Sequence, residues 1–239
     1  MNTPMWAKGS MRQSCNMKER MNNMAGEQGQ KIYEYRGIRG LVAAELITDT
    51  STEIEYGEVQ ELAGTSQLQK EVATSSATKY YDNIPAIVID SDGADTVTID
   101  VSAVPLEKIA FITGQNYDPD TGMLIEGERK SKYYAIGYIT EDTDGNEVYV
   151  WRLKGKFAVP GSTHITKNDG TDSNGQQLVY TGINTTHKFA KTSKTAKAIN
   201  VEKVKDKVDL STFFDTVQTP DTVKAKTAMA KTTTTKTEG

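Results

Sequence analysis

Cysteine is nearly missing from this chain of 239 residues: the lone Cys15 excludes an intramolecular disulfide and any multi-cysteine metal site, which fits a cytoplasmic origin. Histidine is as scarce. Only His164 and His187 occur, and neither has a Cys or His at ligand spacing, so no zinc pattern is present. Long apolar runs are lacking too. Nothing approaches the roughly 18 residues of a membrane span, and the N-terminus has no uninterrupted signal-peptide core. The expectation is a protein with no membrane partner, in which the sequon Asn184-Thr185-Thr186 carries no meaning. Phosphate-cradling Gly loops and nucleophile elbows are absent. No nucleophile is accompanied by a base and an orienting group, so the sequence predicts no enzyme, no catalytic residue, no cofactor and no metal. The acidic run from Asp142 to Glu147 has Gly in its fourth position, whereas a calcium loop needs it in the sixth.

What the chain does have is β-forming sequence. Asp144-Gly145 lies between two alternating runs rich in Tyr, Val, Ile and Trp, the pattern of a β-hairpin over residues 132–157. With Asp144 and Gly145 as a two-residue loop, Thr143 faces Asn146 and Tyr138 faces Trp151. That register predicts one buried face made of Tyr134, Ile136, Tyr138, Tyr149, Trp151 and Leu153. The opposite face, with Ala135, Gly137, Ile139, Val150, Arg152 and Lys154, is mixed and presents no histidine, thiol or carboxylate pair. It is expected to meet a neighbouring subunit, a flanking helix or a lumen.

Further strands are expected over residues 40–49, 68–75, 84–90, 96–102 and 176–189, with a turn at the acidic link 90–95. One helix interrupts them: Pro105 suits its start, Leu106, Ile109 and Ile112 share a side, and Gly114 is its stop. A turn-forming cluster follows at residues 117–122. The fold class read from this order is mainly β: a two-sheet β-sandwich or partly closed barrel with one flanking helix, a long inter-strand loop and flexible terminal extensions.

Three segments are expected. Residues 1–23 hold five of the eight methionines in a polar stretch without period, and read as a flexible leader added to a natural protein that begins near Met24. Residues 24–205 form the β domain. Residues 206–239 form a C-terminal extension, with a short helix around Leu210, Phe213 and Phe214 and then a mobile Thr/Lys-rich tail from residue 219. Charge follows these divisions unevenly. The net charge of -4 hides +3 over residues 1–23, -14 over 24–150 and +7 over 151–239. An acidic body disfavours tight duplex-DNA binding, because phosphate neutralisation needs clustered Lys and Arg.

The motifs Lys31-Ile32-Tyr33-Glu34-Tyr35-Arg36-Gly37, Ile84-Pro85, Glu107-Lys108, Gly137-Tyr138, and Asp169-Gly170-Thr171 through Thr181-Gly182-Ile183 occur in this order. The set, spanning roughly residues 30–205, resembles the major tail protein (tail tube protein) of long-tailed bacteriophages, of the phi-thirteen type. The leader and the Thr/Lys tail depart from it. The resemblance implies a structural virion protein of a siphovirus, assembled in the bacterial host cytoplasm and residing in the virion tail. Its copies would self-assemble into stacked hexameric rings forming the conduit for viral genome ejection. Implied partners are further copies of itself, the tape measure protein, the tail terminator, distal tail or baseplate proteins, and genome DNA passing the lumen without sequence-specific binding. By analogy, the acidic segment 50–67, with Glu53, Glu55, Glu58 and Glu61, is the candidate inter-ring loop; the plainer alternative is an ordinary solvated loop. Lys188, Lys191, Lys194 and Lys197 are candidates for a basic C-terminal contact to an acidic neighbour, one that weakens with salt. The alternative is a β-sandwich binding module for host-surface carbohydrate or another phage adsorption protein, which would display aromatics on a concave face.

Overall fold

A computed structural model describes residues 32–166, 174–204 and 207–226. The leader, the Asp169-Gly170-Thr171 motif and the end of the Thr/Lys tail lie outside the described residues. Ten strands and one short helix are present among those described. In chain order they are β1 (Tyr35–Asp49), β2 (Ile54–Glu61), β3 (Thr65–Tyr81), β4 (Ile84–Val101), α1 (Leu106–Thr113), β5 (Asn116–Asp118), β6 (Met123–Ile125), β7 (Tyr133–Asp142), β8 (Glu147–Phe157), β9 (Gln176–Gly182) and β10 (Ala198–Glu202). The protein is mainly β, with antiparallel pairing throughout, as the sequence predicts.

The main sheet runs β2-β1-β7-β8-β9-β4-β3, with β10 added beside β8, while β5 and β6 form a separate small hairpin. The sheet curls until β1 and β3 touch, giving a partly closed, sandwich-like barrel. Its interior is apolar because alternate residues of each strand point inward: Ala43 from β1, Val97 and Ile99 from β4, Ile136 and Tyr138 from β7, Val150 from β8, and Leu178 and Tyr180 from β9. Helix α1 packs Ile109 and Ile112 against this core. It begins after Pro105, whose missing N–H costs a helix start nothing, and ends at Gly114, which takes a left-handed φ of 70° and donates its N–H to Ala110. Tyr134 donates a hydrogen bond to the Phe111 carbonyl, tying α1 to β7.

The hairpin register differs from expectation by one residue. Tyr138 pairs with Val150 and Gly137 with Trp151. The loop has three residues, Thr143 to Gly145, closed by bonds from Gly145 N to Asp142 O (3.1 Å) and from Asp142 N to Asn146 O (3.1 Å). Gly145 supplies the left-handed residue of such a loop, at φ 79°. The Asp142 carboxylate fixes it by accepting from the amides of Asp144 and Asn146, each at 2.9 Å. A slip of one residue moves a whole strand to the other face. The proposed single buried face is therefore divided: Tyr134, Ile136 and Tyr138 point into the barrel with Val150, while Trp151 and Leu153 point outward with Ala135.

That outward face is buried as well, by the chain's own C-terminal part. Leu210, Phe213, Phe214, Val217 and Val223 lie with Phe189 over Val42, Ala44, Trp151 and Leu153, forming a second core. Trp151 donates its indole N–H to the Phe213 carbonyl at 3.1 Å. Gly137 is needed here, because a β-carbon would lie 2.8 Å from the Phe214 ring. The face holding Ala135 and Gly137 thus meets this C-terminal segment rather than a lumen or a neighbour. The expected helix around Leu210 is instead a succession of turns, with bonds from Phe213 N to Leu210 O and from Asp215 N to Thr212 O. Residues 219–226, expected to be mobile, turn back onto the body, where Thr219 is buried. Tyr56 of β2 also reaches this layer, donating to the Leu153 carbonyl at 3.0 Å. Tyr56→Phe should cost about 1 kcal/mol in urea unfolding, the net worth of one such bond.

Candidate functional site

Strands β3 and β4 run beyond the barrel as a two-stranded ribbon. Their pairing continues from Thr74↔Asp92 to Tyr81↔Ile84. Thr, Ser, Val and Ile favour the extended backbone, and the turn is made by Asp82 and Asn83 at φ 50° and 64°. Two consecutive left-handed residues match the twist of a hairpin, and Asp and Asn tolerate that conformation. Every residue from 69 to 93 is exposed, so among the described residues the ribbon packs on nothing beyond its own two strands. At about 3.3 Å per residue, the ten residues from Val72 to the turn extend roughly 30 Å.

Its surface is unusual for an exposed element. Ala77, Lys79, Ile87 and Ile89 share one face by their pairing, whereas Ser76, Thr78, Val88 and Asp90 share the other. Ile87 is 48% and Ile89 51% exposed, and at the tip Tyr80, Tyr81 and Ile84 are each more than 60% exposed. Large apolar side chains thus stand exposed along the ribbon and at its tip, and an isolated hairpin is marginal without cover.

The root of this arm is clamped by charge. Asp95, where β4 enters the barrel, accepts from Arg152 of β8 at 2.9 Å and from Lys197, just before β10, at 3.2 Å. Lys197 also donates to the Gly93 carbonyl, and Arg152 donates its Nε–H to the Tyr138 hydroxyl at 3.3 Å. Burial alone would raise the Asp95 carboxyl, but the bonds from Lys197 and Arg152 outweigh it and hold the group below its ordinary value. Gly93 lets the strands close here, since a β-carbon would meet the Ala73 carbonyl at 3.0 Å.

Beside the arm's root lies an open groove of about 870 Å³ between the starts of β1 and β3. Tyr138, Val150 and Arg152 form its floor, Ile38, Leu68 and Val148 its half-buried walls, and Arg36 and Lys70 its exposed rim.

The residues singled out from sequence fall elsewhere, with one exception. The segment 50–67 is not a long loop: a tight turn closes from Thr50 N to Glu53 O at 2.8 Å, and β2 follows, pairing with β1. Glu53 stands in the turn, while Glu55, Glu58 and Glu61 are exposed on an edge strand. The long inter-strand excursion is the β3–β4 arm, and the acidic link 90–95 is continuous strand within it. Lys188, Lys191 and Lys194 are exposed around the Phe189↔Lys194 bridge. Lys197 alone joins the site, but through its own chain's Asp95. The signal that marks the arm is Asp82-Asn83 between Tyr80-Tyr81 and Ile84-Pro85, a turn pair flanked by strand formers.

Other polar clusters serve the scaffold. Asp49 accepts from Lys154 at 2.5 Å and from the amides of Thr186 and His187. Burial works against its charge, yet these donors keep its carboxyl low. Glu147 is lowered chiefly by Lys203, with Arg39 adding to it across the β1–β7–β8 corner. Among the described residues no group of three or more His, Cys, Asp or Glu is placed to hold a metal ion, and no helix is long and apolar enough to cross a membrane. No protein-family model matches the chain, and no curated protein matches it.

Proposed function

We propose that this protein is a structural subunit that assembles with copies of itself. The observation that carries this reading is the arm: a hairpin projecting roughly 30 Å, with Tyr80, Tyr81, Ile84, Ile87 and Ile89 uncovered by the described residues of its own chain. Such a surface is stable in solution only when something covers it, and natural proteins expose strand edges of this length where pairing is intended. The clamp at Asp95 supports the same reading, because it sets the direction in which the arm leaves the barrel.

The particular subunit we propose is the major tail protein of a long-tailed bacteriophage, stacked as hexameric rings around a lumen for genome DNA. The support is the ordered set of sequence motifs together with a curled antiparallel barrel flanked by one helix. Copies in a ring meet through different edges, so each subunit needs two complementary surfaces. The tape measure protein, tail terminator and distal tail or baseplate proteins are the partners this role requires, and the acidic body suits a conduit that phosphate slides past.

Electron microscopy of the purified protein tests the reading. Rings or tubes are the expected result, and persistent monomers that bind glycan would replace it with the adsorption-module alternative. A second measurement isolates the arm. A chain in which residues 75–91 are replaced by Asn-Gly, joining the paired Thr74 and Asp92, should fold with an unchanged urea midpoint and sediment as a monomer.

A further inference from the structure

We infer that the pocket between the end of α1 and the start of β7 is an oxyanion site, built to take a phosphoryl or carboxylate group. Arg129, Lys130, Lys132 and Lys156 line it over an apolar base of Ile112 and Phe157, and its volume is about 100 Å³. A water molecule needs only roughly 10–15 Å³ of such space, so an ion of several heavy atoms fits. Four cations line the pocket and no carboxylate does.

Lys156 is set apart by its lack of a counter-charge. Lys132, Arg152, Lys154 and Lys197 are also withdrawn from solvent, and each has a carboxylate: Glu45, Asp95, Asp49 and again Asp95. Lys156 is half-buried, yet it forms no ion pair among the described residues. Its ammonium donates to Ser131 Oγ at 2.7 Å and lies 4.4 Å from the centre of the Tyr133 ring. Those contacts hold the charge in place without neutralising it.

The cations do not serve to cap α1. Free carbonyls at a helix C-terminus attract positive charge, but here they have other donors. Ile109 accepts from the Thr113 hydroxyl at 2.7 Å, Ala110 from the Gly114 N–H at 2.8 Å, and Phe111 from the Tyr134 hydroxyl. The loop before β7 is seated by its backbone instead. Lys130 donates its N–H to the Gly114 carbonyl at 3.0 Å, and a β-carbon at position 114 would collide with the Lys130 carbonyl. Arg129 and Lys130 are thereby held beside Lys156, exposed and with no ion pair of their own among the described residues.

An oxyanion answers this arrangement. Charge-assisted bonds from Lys and Arg are roughly twice as strong as neutral ones, and a guanidinium can engage two oxygens at once. Phosphoryl and carboxylate groups share that chemistry.

Calorimetric titration of the full chain with inorganic phosphate and, separately, with acetate at constant ionic strength tests the site. At least one should bind saturably at 1:1, and the tighter of the two assigns the group as phosphoryl or carboxylate. Lys156→Gln should weaken that binding at least tenfold. Arg129→Ser with Lys130→Ser should do the same from the exposed loop, which keeps the test open should Lys156→Gln disturb β8. Lys79→Ser, which removes a cation of the distant arm, should change nothing. If neither anion saturates, or if both pocket variants bind as the unaltered chain does, the site is overturned and these cations serve solubility alone. Equal weakening by Lys79→Ser would overturn it too, as an effect of overall charge.

Discussion

Trp151→Ala should lower the free energy of unfolding by about 3–5 kcal/mol, the cost of emptying a large aromatic site in a packed core. Trp151 is wholly buried, faces away from the barrel, and is sealed by Phe213, Phe214 and Val217. Its ring centroid lies 5.5 Å from that of Phe214, and its indole N–H is held by the Phe213 carbonyl. Truncation removes apolar area, aromatic contact and that bond at once. The barrel interior does not contain this side chain, so the effect should be distributed unevenly. Urea unfolding will show the loss, and limited proteolysis should cut within residues 207–226 before the barrel is attacked. Cleavage at unchanged rates there, with full stability retained, would show that the C-terminal cover does not depend on Trp151.

Asp95→Asn should cost about 3–5 kcal/mol, because it leaves the buried Arg152 guanidinium without its counter-charge. Both side chains are less than a tenth exposed, so solvent cannot replace the lost partner. The pH dependence has a definite sign. The Asp95 carboxyl titrates below its ordinary value of 3.8 in the folded protein, so the unfolded chain takes up the proton more readily. Its stabilisation is complete above the unfolded value and fades as pH falls through the folded one. The parent should therefore lose stability from about pH 5 downward, and Asp95→Asn should show a shallower loss. Some slope will remain, since Asp49 and Glu147 are lowered by their own donors. Denaturant midpoints at pH 7, 5, 4 and 3 check this; parallel curves for parent and variant would remove Asp95 from the account.

How much of this was readable in the residues depends on where each segment points. Helix α1 was legible because Pro105, the Leu106-Ile109-Ile112 spacing and Gly114 all give the same answer. The start of β9 was legible because Leu178 and Tyr180 alternate into a core on one side only, but the strand ends at Gly182 rather than running to residue 189, and β10 follows it. The β7–β8 register was misread because Asp142, a strand residue by pattern, spends its carboxylate on the loop and lengthens it by one. The arm escaped because a ribbon exposed on both faces has no hydrophobic alternation to report, and its aspartates resemble turn residues. The C-terminal cover escaped for a related reason: Phe213, Phe214 and Val217 bury themselves from turns, which have no period. Of the eight candidate contact residues, only Lys197 stands at the arm's root; the segment 50–67 resembles a loop by its length and glycines, but residues 54–61 of it pair with β1.

The C-terminal cover has a consequence for the order of events at the ribosome. Phe213 is 62 residues after the Trp151 it caps, and at about 5–20 residues per second that interval lasts roughly 3–12 s. During it, β7 and β8 can pair while Trp151 and Leu153 remain naked to water. A growing chain therefore passes through a sticky interval before its last segment seals it, and many chains translated from one message would hold such faces close together. Completion of the C-terminal segment is thus the step that closes the fold: only a chain synthesised through Val223 covers its second core.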